Sequence, residues 1–515
     1  MTLRASGPRL RRVTRSIDLL QHGISFAPNL GRTLIRRLTA ACLVLLSTAA
    51  GAANPVLGPS KLDPAWQARA KAMFKTAIEI PTVAERGQMP KMAAFVAAEL
   101  KKGGWADADI KILPHDGRKG DKTVSMVARW KGSAPQGGRA AGTKPILILA
   151  HMDVVEAKRA DWKEDPFAFI EKDGYFYGRG TSDDKQGVIA TAAALIKLRE
   201  AGFKPSRDII VFYTGDEETE QNGARLGATE WRPLIDAEYA LNADVGGGAF
   251  TADGRALGFG IQTAEKIFQS YHFTVRNKGG HSSRPRPDNA IYDLSTALTK
   301  LAAHRFTPAL NETTRAYFTE RAKQEKDALG TQMRAWLANP GDAAAADAIE
   351  ANALETGITR TRCVATMLEG GHAQNALPQM AQATVNCRIM PGVDPKTIEA
   401  ELKTVAGAGV EVTPFANQGR ITSASPLRPD VVKAYTDAIR RTHGAAVQII
   451  PQMSTGATDG LYFRAAGIPV YGVEGAYGIS PDDERAHGLD ERLPVKAFYD
   501  NVLHWEYLVR TLAGR

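Results

Sequence analysis

Three groups of acidic and histidine residues each follow directly after an apolar, strand-like run. In chain order they are His151 and Asp153 after residues 146–150, the acidic residues Asp216, Glu217 and Glu218 after residues 209–213, and Asp244 after residues 239–243. Open α/β sheets bind ligands at the carboxyl ends of their strands. We therefore expect these side chains to converge in one crevice.

Two further positions add to this set. Asp183 and Asp184 lie in the segment 178–185, whose glycines suit a tight turn just ahead of a predicted helix over residues 187–198. His487 follows the last predicted strand, far downstream. Imidazole and carboxylate ligands without thiolate favour zinc, cobalt or manganese, and a carboxylate can bridge two such ions. The pattern predicts a pair of metal ions that act together in catalysis.

The elements that must position these residues alternate between strand and helix from residue 57 to about 265, which predicts an α/β fold with a mostly parallel sheet. The order then becomes strand 272–276, helix 290–303, two strands flanking Asn375, helix 395–405 and strand 410–414, a ferredoxin-like βαββαβ module. A charged, Ala-rich stretch over about 312–356 predicts inserted helices. The α/β pattern resumes after about 420 and ends with a helix over 497–512.

These motifs resemble those of the M20 metallopeptidases. Residues 151–153 are similar to the family's H-x-D, 183–185 to its D-D-K and 217–218 to its E-E pair, while Asp244 and His487 match its last two ligands. The resemblance implies two Zn²⁺ ions, with Co²⁺ or Mn²⁺ as alternatives. Their expected ligands are Asp183 as the bridge, His151 and Asp244 at one ion, and Glu218 and His487 at the other.

The resemblance also implies the catalytic roles. Asp153 would orient the imidazole of His151, and Glu217 would act as general base for the attacking water. His281 lies in a segment similar to the family's G-x-x-H-S. In a homodimer it would reach the active site of the partner subunit and stabilise the oxyanion that forms there; the alternative is a solvated turn histidine. The family pattern further includes a cis peptide bond between Asp183 and Asp184.

Four positions are similar to those that form the family's substrate pocket. Arg388 and Asn375 would hold a free carboxylate of the substrate, and Gly456 and Thr458 would line the same pocket. For Arg388 the alternative is an ion pair with an acidic neighbour, and for Gly456 a purely conformational role.

The resemblance divides the chain into a zinc-peptidase catalytic domain and an inserted lid and dimerisation domain. The predicted segments are a signal peptide over 1–53, catalytic residues 54–265, lid residues 266–418 with the helical insertion at about 312–356, and catalytic residues 419–515.

The N-terminal segment carries eight Arg and one Asp, so it holds most of the net charge of +9 and leaves little support for nucleic-acid binding. Its apolar run, residues 38–46, is much shorter than the roughly 20 residues of a membrane-spanning helix. We expect a cleaved leader rather than a stable membrane anchor, and a periplasmic or secreted protein. Cys42 would be lost with the leader.

The two other cysteines, Cys363 and Cys387, lie in the strands that flank Asn375. If these strands pair as a hairpin the two cysteines could face each other, and an oxidising compartment would permit a bond. The alternative, two buried free thiols, is the expectation that we prefer.

The substrate prediction depends on the metal ligand at position 244. Family members that cleave peptides tend to have Asp at this position, as this chain does. Segments 151–155, 165–167 and 202–205 look most like the carboxypeptidase S branch, which also includes enzymes for N-acyl amino acids. We expect a carboxypeptidase or dipeptidase for short peptides, and an N-acyl-amino-acid hydrolase as the alternative. A third hypothesis is a catalytically inactive binding protein. The chain retains all the expected metal ligands and the general base, which argues against it.

Overall fold

A computed structural model describes residues 56–133, 143–416 and 418–514. The predicted signal peptide over 1–53, including Cys42, lies outside these residues. Within the described ranges, no helix combines the length and the apolar character needed to cross a membrane.

The described chain contains thirteen α-helices and seventeen strands. The helices are α1 (Pro64–Ile78), α2 (Met89–Lys102), α3 (Lys185–Glu200), α4 (Asn222–Ala228), α5 (Arg232–Ile235), α6 (Ala290–Ala303), α7 (Glu312–Gln324), α8 (Ala328–Ala338), α9 (Ala343–Glu350), α10 (Pro395–Ala406), α11 (Pro429–His443), α12 (Gly460–Ala465) and α13 (Val495–Ala513). The strands are β1 (Ile110–Asp116), β2 (Lys122–Trp130), β3 (Ile146–His151), β4 (Ile170–Lys172), β5 (Tyr175–Tyr177), β6 (Ile209–Thr214), β7 (Tyr239–Phe250), β8 (Ala256–Glu265), β9 (Ile267–Arg276), β10 (Gly280–His281), β11 (Arg362–Gly370), β12 (Ala376–Leu377), β13 (Met380–Ile389), β14 (Glu411–Pro414), β15 (Ile449–Ser454), β16 (Val470–Ile479) and β17 (Arg492–Pro494).

The largest sheet has eight strands in the order β1-β2-β6-β3-β7-β16-β8-β15. Its centre is parallel, since β3 pairs in parallel with β6 and β7, and β7 with β16. Strand β3 is buried along its whole length, and alternate residues belong to two different apolar clusters. A strand buried on both faces needs a continuous apolar run, which is what residues 146–150 provide. The predicted α/β fold with a mostly parallel sheet is confirmed.

A second sheet of four antiparallel strands has the order β11-β13-β9-β14. In the chain these strands alternate with α6 and α10 as β9-α6-β11-β13-α10-β14, the βαββαβ order. One apolar cluster joins the inner face of the sheet to both helices and contains Tyr271, Phe273, Val385, Leu294 and Leu402. This packing fixes the position of β13, the strand that carries Arg388.

The inserted stretch between α6 and β11 forms α7, α8 and α9, with a break between α8 and α9 at residues 339–342. Its core contains Phe318, Met333 and Trp336, and this core also includes Ile450 and Met453 of β15. The insertion therefore packs against the edge strand of the eight-stranded sheet.

Cys363 and Cys387 form a disulfide. They are direct partners in the antiparallel register of β11 and β13, which brings the two sulfur atoms together. The preferred expectation of two free thiols was wrong, because the two strands do pair as a hairpin and in the register that places these residues opposite each other.

Candidate metal centre

The strand ends bring the predicted ligands into one place. His151 is the last residue of β3 and pairs with Thr214, the last residue of β6, so the loop that carries Glu217 and Glu218 begins beside it. On the other side of β3, Asp244 lies where β7 shifts its register against β16, between Asn242 and Gly246. Such a bulge redirects side chains out of the regular alternation. The convergence expected from the sequence is therefore present.

Asp183 lies between the two histidines. Its Oδ1 is 2.9 Å from Nε2 of His151, and its Oδ2 is 3.1 Å from Nε2 of His487. The peptide bond from Asp183 to Asp184 is cis, as the family pattern implied. Each carboxylate oxygen thus faces a different imidazole, an arrangement suited to a bridging ligand.

Two groups of donor atoms share this carboxylate. The first is His151, Asp183 and Asp244, with 3.5 Å between His151 Nε2 and Asp244 Oδ1. The second is Asp183, Glu218 and His487, with 2.9 Å between His487 Nε2 and Glu218 Oε2. Within each group the ligand atoms lie within 4.8 Å of one another, so each group can hold one metal ion.

The charges of the site fit cations. The carboxylates of Asp183 and Glu218 raise the pKa of His487 to about 10. Burial favours neutral His151, yet Asp153, Asp183 and Asp244 together raise its pKa well above the usual value. Burial also raises the pKa of Asp184 and Glu217 well above their usual range, with Asp244 adding to it. The cluster holds more negative charge than its own imidazoles compensate, which two divalent cations would relieve.

Asp153 holds the loop that follows β6. Its carboxylate accepts hydrogen bonds from the backbone N–H of Glu217 at 3.1 Å and of Glu218 at 2.9 Å. Its backbone carbonyl oxygen, 3.1 Å from Nδ1 of His151, is the closer partner of that ring, since the carboxylate is 3.5 Å away. Asp153 thus orients His151 mainly through its main chain and positions Glu218 through its side chain.

Two cavities meet at the cluster, and both are lined by Glu217, Glu218, Gly456, Ala457 and His487. The larger, of about 980 Å³, is lined further by three arginines and by Phe268. The smaller, of about 610 Å³, is lined by Leu354, Ile358 and Met453 together with Asp183 and Asp244. Glu217 belongs to neither donor group but borders both cavities.

Arg388, on β13, lines the larger cavity, and its guanidinium lies over the ring of Phe268 at 4.7 Å. Burial lowers the pKa of this side chain, and among the residues that the structure describes no carboxylate contributes to it. Among the described residues Arg388 therefore has no acidic partner, which argues against the alternative of an ion pair. Gly456 is exposed at the same cavity, and a Cβ there would meet open space, so crowding does not require glycine.

The remaining predicted residues are His281, Asn375 and Thr458. His281 lies on β10 and Asn375 in the turn just before β12; both are exposed, and neither lines the two cavities in a single chain. Nδ1 of His281 accepts a hydrogen bond from the backbone N–H of Ser283 at 3.1 Å. Thr458 borders the smaller cavity but is buried, and its backbone N–H donates to Glu265 at 2.7 Å.

Two carboxylates near the cluster were missed, the half-buried Glu474 and the buried Glu491. Burial and the charge of Asp244 raise the pKa of Glu474 well above its usual range, and Gln186 donates a hydrogen bond to it. Glu474 follows the apolar residues 470–473, so the signal that identified Asp244 was present here too. Glu491 accepts hydrogen bonds from the loop that carries Asp183, a contact across 308 positions of sequence that no local pattern reveals.

Comparisons with known proteins agree with this geometry. The profile of Peptidase family M20/M25/M40 matches residues 147–511. The chain is 28% identical over 464 residues to the human N-fatty-acyl-amino acid synthase/hydrolase PM20D1, covering 86% of this chain and 88% of that protein. It is 26% identical over 402 residues to the probable carboxypeptidase S-like 2 of Dictyostelium discoideum, covering 75% of this chain and 74% of that protein. Among solved structures, the M20 family metallo-carboxypeptidase Sso-CP2 of Sulfolobus solfataricus shares the fold with a TM-score of 0.62 and 20% identity, over 86% of this chain and 98% of that one.

Proposed function

Because the chain belongs to the M20/M25/M40 family of peptidases, whose members are hydrolases, we propose that it cleaves the amide bond of short peptides with a free C-terminal carboxylate. It would act as a carboxypeptidase or dipeptidase. The observation that carries this proposal is the position of Asp183, whose two carboxylate oxygens face His151 and His487 separately.

The proposed cofactor is a pair of Zn²⁺ ions, for which Co²⁺ or Mn²⁺ could substitute. His151 and Asp244 would hold one ion, Glu218 and His487 the other, and Asp183 both. When bound, such ions polarise the scissile carbonyl and acidify the attacking water. Imidazole and carboxylate donors without thiolate fit this chemistry.

Glu217 is the proposed general base. It borders both cavities beside the two donor groups, so its carboxylate can take a proton from the attacking water and later return it to the leaving amine. Gln221 donates a hydrogen bond to its Oε1 at 2.9 Å, which restricts the orientation of the carboxylate.

Arg388 is the proposed anchor for the free carboxylate of the substrate. A guanidinium can bind a carboxylate through two parallel hydrogen bonds, and this one faces the cavity without a carboxylate partner among the described residues. Its place in the larger cavity would put the amine side of the scissile bond there.

We also propose that the enzyme is an exported homodimer. His281 and Asn375 are exposed and lie outside both cavities of their own chain, so they could complete the site of a partner subunit, with His281 stabilising the oxyanion. Export depends on the leader-like residues 1–53.

A second candidate is the hydrolysis of N-acyl amino acids. The smaller cavity favours it, since Leu354, Ile358 and Met453 make part of its wall apolar and able to accept an acyl chain. The amine side of such a substrate also carries a free carboxylate, so the role of Arg388 would be unchanged.

The test is hydrolysis of dipeptides, C-terminally amidated dipeptides and N-acyl amino acids by the zinc-loaded protein. We expect cleavage of the free dipeptides, little cleavage of the amidated ones, and a loss of about 10²- to 10⁴-fold in kcat for Glu217→Gln. Glu230→Gln, at an exposed carboxylate away from the cluster, is the matched control and should keep full activity. Turnover of acyl amino acids alone would favour the second candidate, and metal binding without turnover of any substrate would overturn both.

A further inference from the structure

Leu354 is a large apolar side chain that is exposed beside the candidate metal centre. It is 75% exposed, although it lines the same cavity as Asp183, Glu218 and Asp244. An exposed leucine at the surface needs no explanation by itself. Leu354, however, borders the donor groups. Covering it with an apolar part of an entering substrate would lower the free energy of the complex.

The turn that carries Leu354 is held firmly. The next residue, Glu355, is fully buried and accepts hydrogen bonds from the Tyr317 hydroxyl at 2.9 Å and from Nε of Arg321 at 3.1 Å. On the other side, the Asn352 side chain accepts a hydrogen bond from the backbone N–H of Leu354 at 3.0 Å. The leucine is therefore presented to the cavity by a turn that α7 of the insertion fixes in place.

Part of the cavity wall around Leu354 is also apolar, beside polar residues such as Thr356 and Ser454. Ile358 and Met453 line the same cavity, and both are mostly buried in the core that joins the insertion to β15. Val245, next to Asp244, adds a further apolar side chain. Two elements far apart in the chain thus build one surface, which the insertion completes.

The direction of the substrate follows from the two cavities. They share Glu217, Glu218 and His487, so a scissile amide at the donor groups has one side in each cavity. Arg388 is in the larger cavity and suits the carboxylate of the amine side. The acyl side then enters the smaller cavity, toward Leu354.

We propose that the insertion, through Leu354, forms the acyl-side subsite and selects substrates whose acyl side is apolar: a leucine-like N-terminal residue or a medium-length acyl chain. This inference rests on the proposed function, because it requires an amide to be cleaved at the donor groups. It assigns a role in specificity to residues 353–358.

The test compares substrates that share alanine on the amine side and differ only in the acyl side: Leu-Ala against Gly-Ala, and N-hexanoyl-alanine against N-acetyl-alanine. The readout is the ratio of kcat/KM for the larger to the smaller acyl group in the zinc-loaded protein. We expect the wild-type protein to prefer the larger group. Leu354→Ala should lower the ratio about tenfold. Leu354→Met, which keeps a large apolar side chain, should give a ratio within about twofold of the wild-type value.

Ile112→Ala is the matched control, since Ile112 is an exposed apolar residue on β1 that lines neither cavity. It should leave the ratio unchanged. A ratio that Leu354→Ala does not alter, or a wild-type preference for the smaller group, would overturn this inference and leave the proposed function intact. If the wild-type protein cleaves none of the four substrates, the proposed function fails, and the inference fails with it.

Discussion

The carboxylate of Glu491 accepts a hydrogen bond from the backbone N–H of Asp183 at 3.2 Å. The same carboxylate accepts from the backbone N–H of Gly180 at 3.1 Å and of Ser182 at 2.7 Å, and it pairs with Arg179 at 2.7 Å. Glu491 follows His487 by four residues. One buried side chain therefore links the loop that carries Asp183 to the loop that carries His487.

We expect Glu491→Gln to lower the free energy of unfolding by about 3 kcal/mol, because it leaves the buried guanidinium of Arg179 without its carboxylate partner. It also places an amide NH₂ group, a donor, where the backbone N–H groups need an acceptor. Urea unfolding of the metal-free protein measures this loss. Zinc titration should also show weaker binding, since the Asp183 loop is no longer held.

Arg179→Met provides the control for this prediction. If the two side chains act as a buried pair, the double variant Arg179→Met with Glu491→Gln is less destabilised than the two single variants added together. Strict additivity would show that the pair is not the source of the effect.

Asp153 gives a second prediction. Its two carboxylate oxygens accept from the backbone N–H groups of Glu217 and Glu218, whereas an asparagine offers a single acceptor oxygen. We expect Asp153→Asn to weaken zinc binding about 10- to 100-fold, measured by calorimetric titration of the metal-free protein. Asp161→Asn, at an exposed position of the following segment, should bind zinc like the wild-type protein. Equal affinity in the two variants would contradict a role for Asp153 in positioning ligands.

Local patterns were sufficient for much of the fold. The apolar runs before His151 and Asp244 are buried strands of one sheet, and the carboxyl ends of neighbouring parallel strands lie at the same edge. That geometric rule brought the strand-end residues together without any knowledge of tertiary contacts. The two helices that pack on the second sheet, predicted over 290–303 and 395–405, are also present as α6 and α10.

Other features depend on contacts that no local pattern encodes. Glu491 is assigned its place by partners more than 300 positions away. The orientation of Asp153, with its main chain toward His151 and its side chain toward Glu217, follows from the path of a loop. The role proposed for the insertion depends on its final turn, which lines the cavity beside the candidate metal centre.

The disulfide between Cys363 and Cys387 allows a third prediction. It closes a loop with a sequence separation of 24 between β11 and β13, so its loss should lower the free energy of unfolding by about 3 kcal/mol. Thermal unfolding of a double Cys→Ala variant measures the change. Zinc affinity should stay at the wild-type level, since neither cysteine belongs to the donor groups. An unchanged unfolding temperature would show that hairpin packing alone holds the two strands.

His504 allows a prediction of pH dependence. It is fully buried in α13, with Nε2 2.7 Å from the carbonyl oxygen of Val473, and burial lowers its pKa to about 4. In the unfolded chain the same ring titrates near its ordinary value of about 6.5. Between these two values the unfolded state binds a proton that the folded state does not, so stability falls as the pH decreases from about 6.5 toward 4.

His504→Gln keeps an N–H donor for Val473 and removes the titration. We expect the difference in unfolding free energy between pH 7 and pH 4.5 to be smaller in this variant by about 2 kcal/mol. Urea unfolding of metal-free protein at the two pH values measures it, with His372→Gln, at an exposed histidine, as the control that should follow the wild-type protein. Parallel pH curves for wild type and His504→Gln would mean that His504 takes up a proton in the folded state as readily as in the unfolded chain.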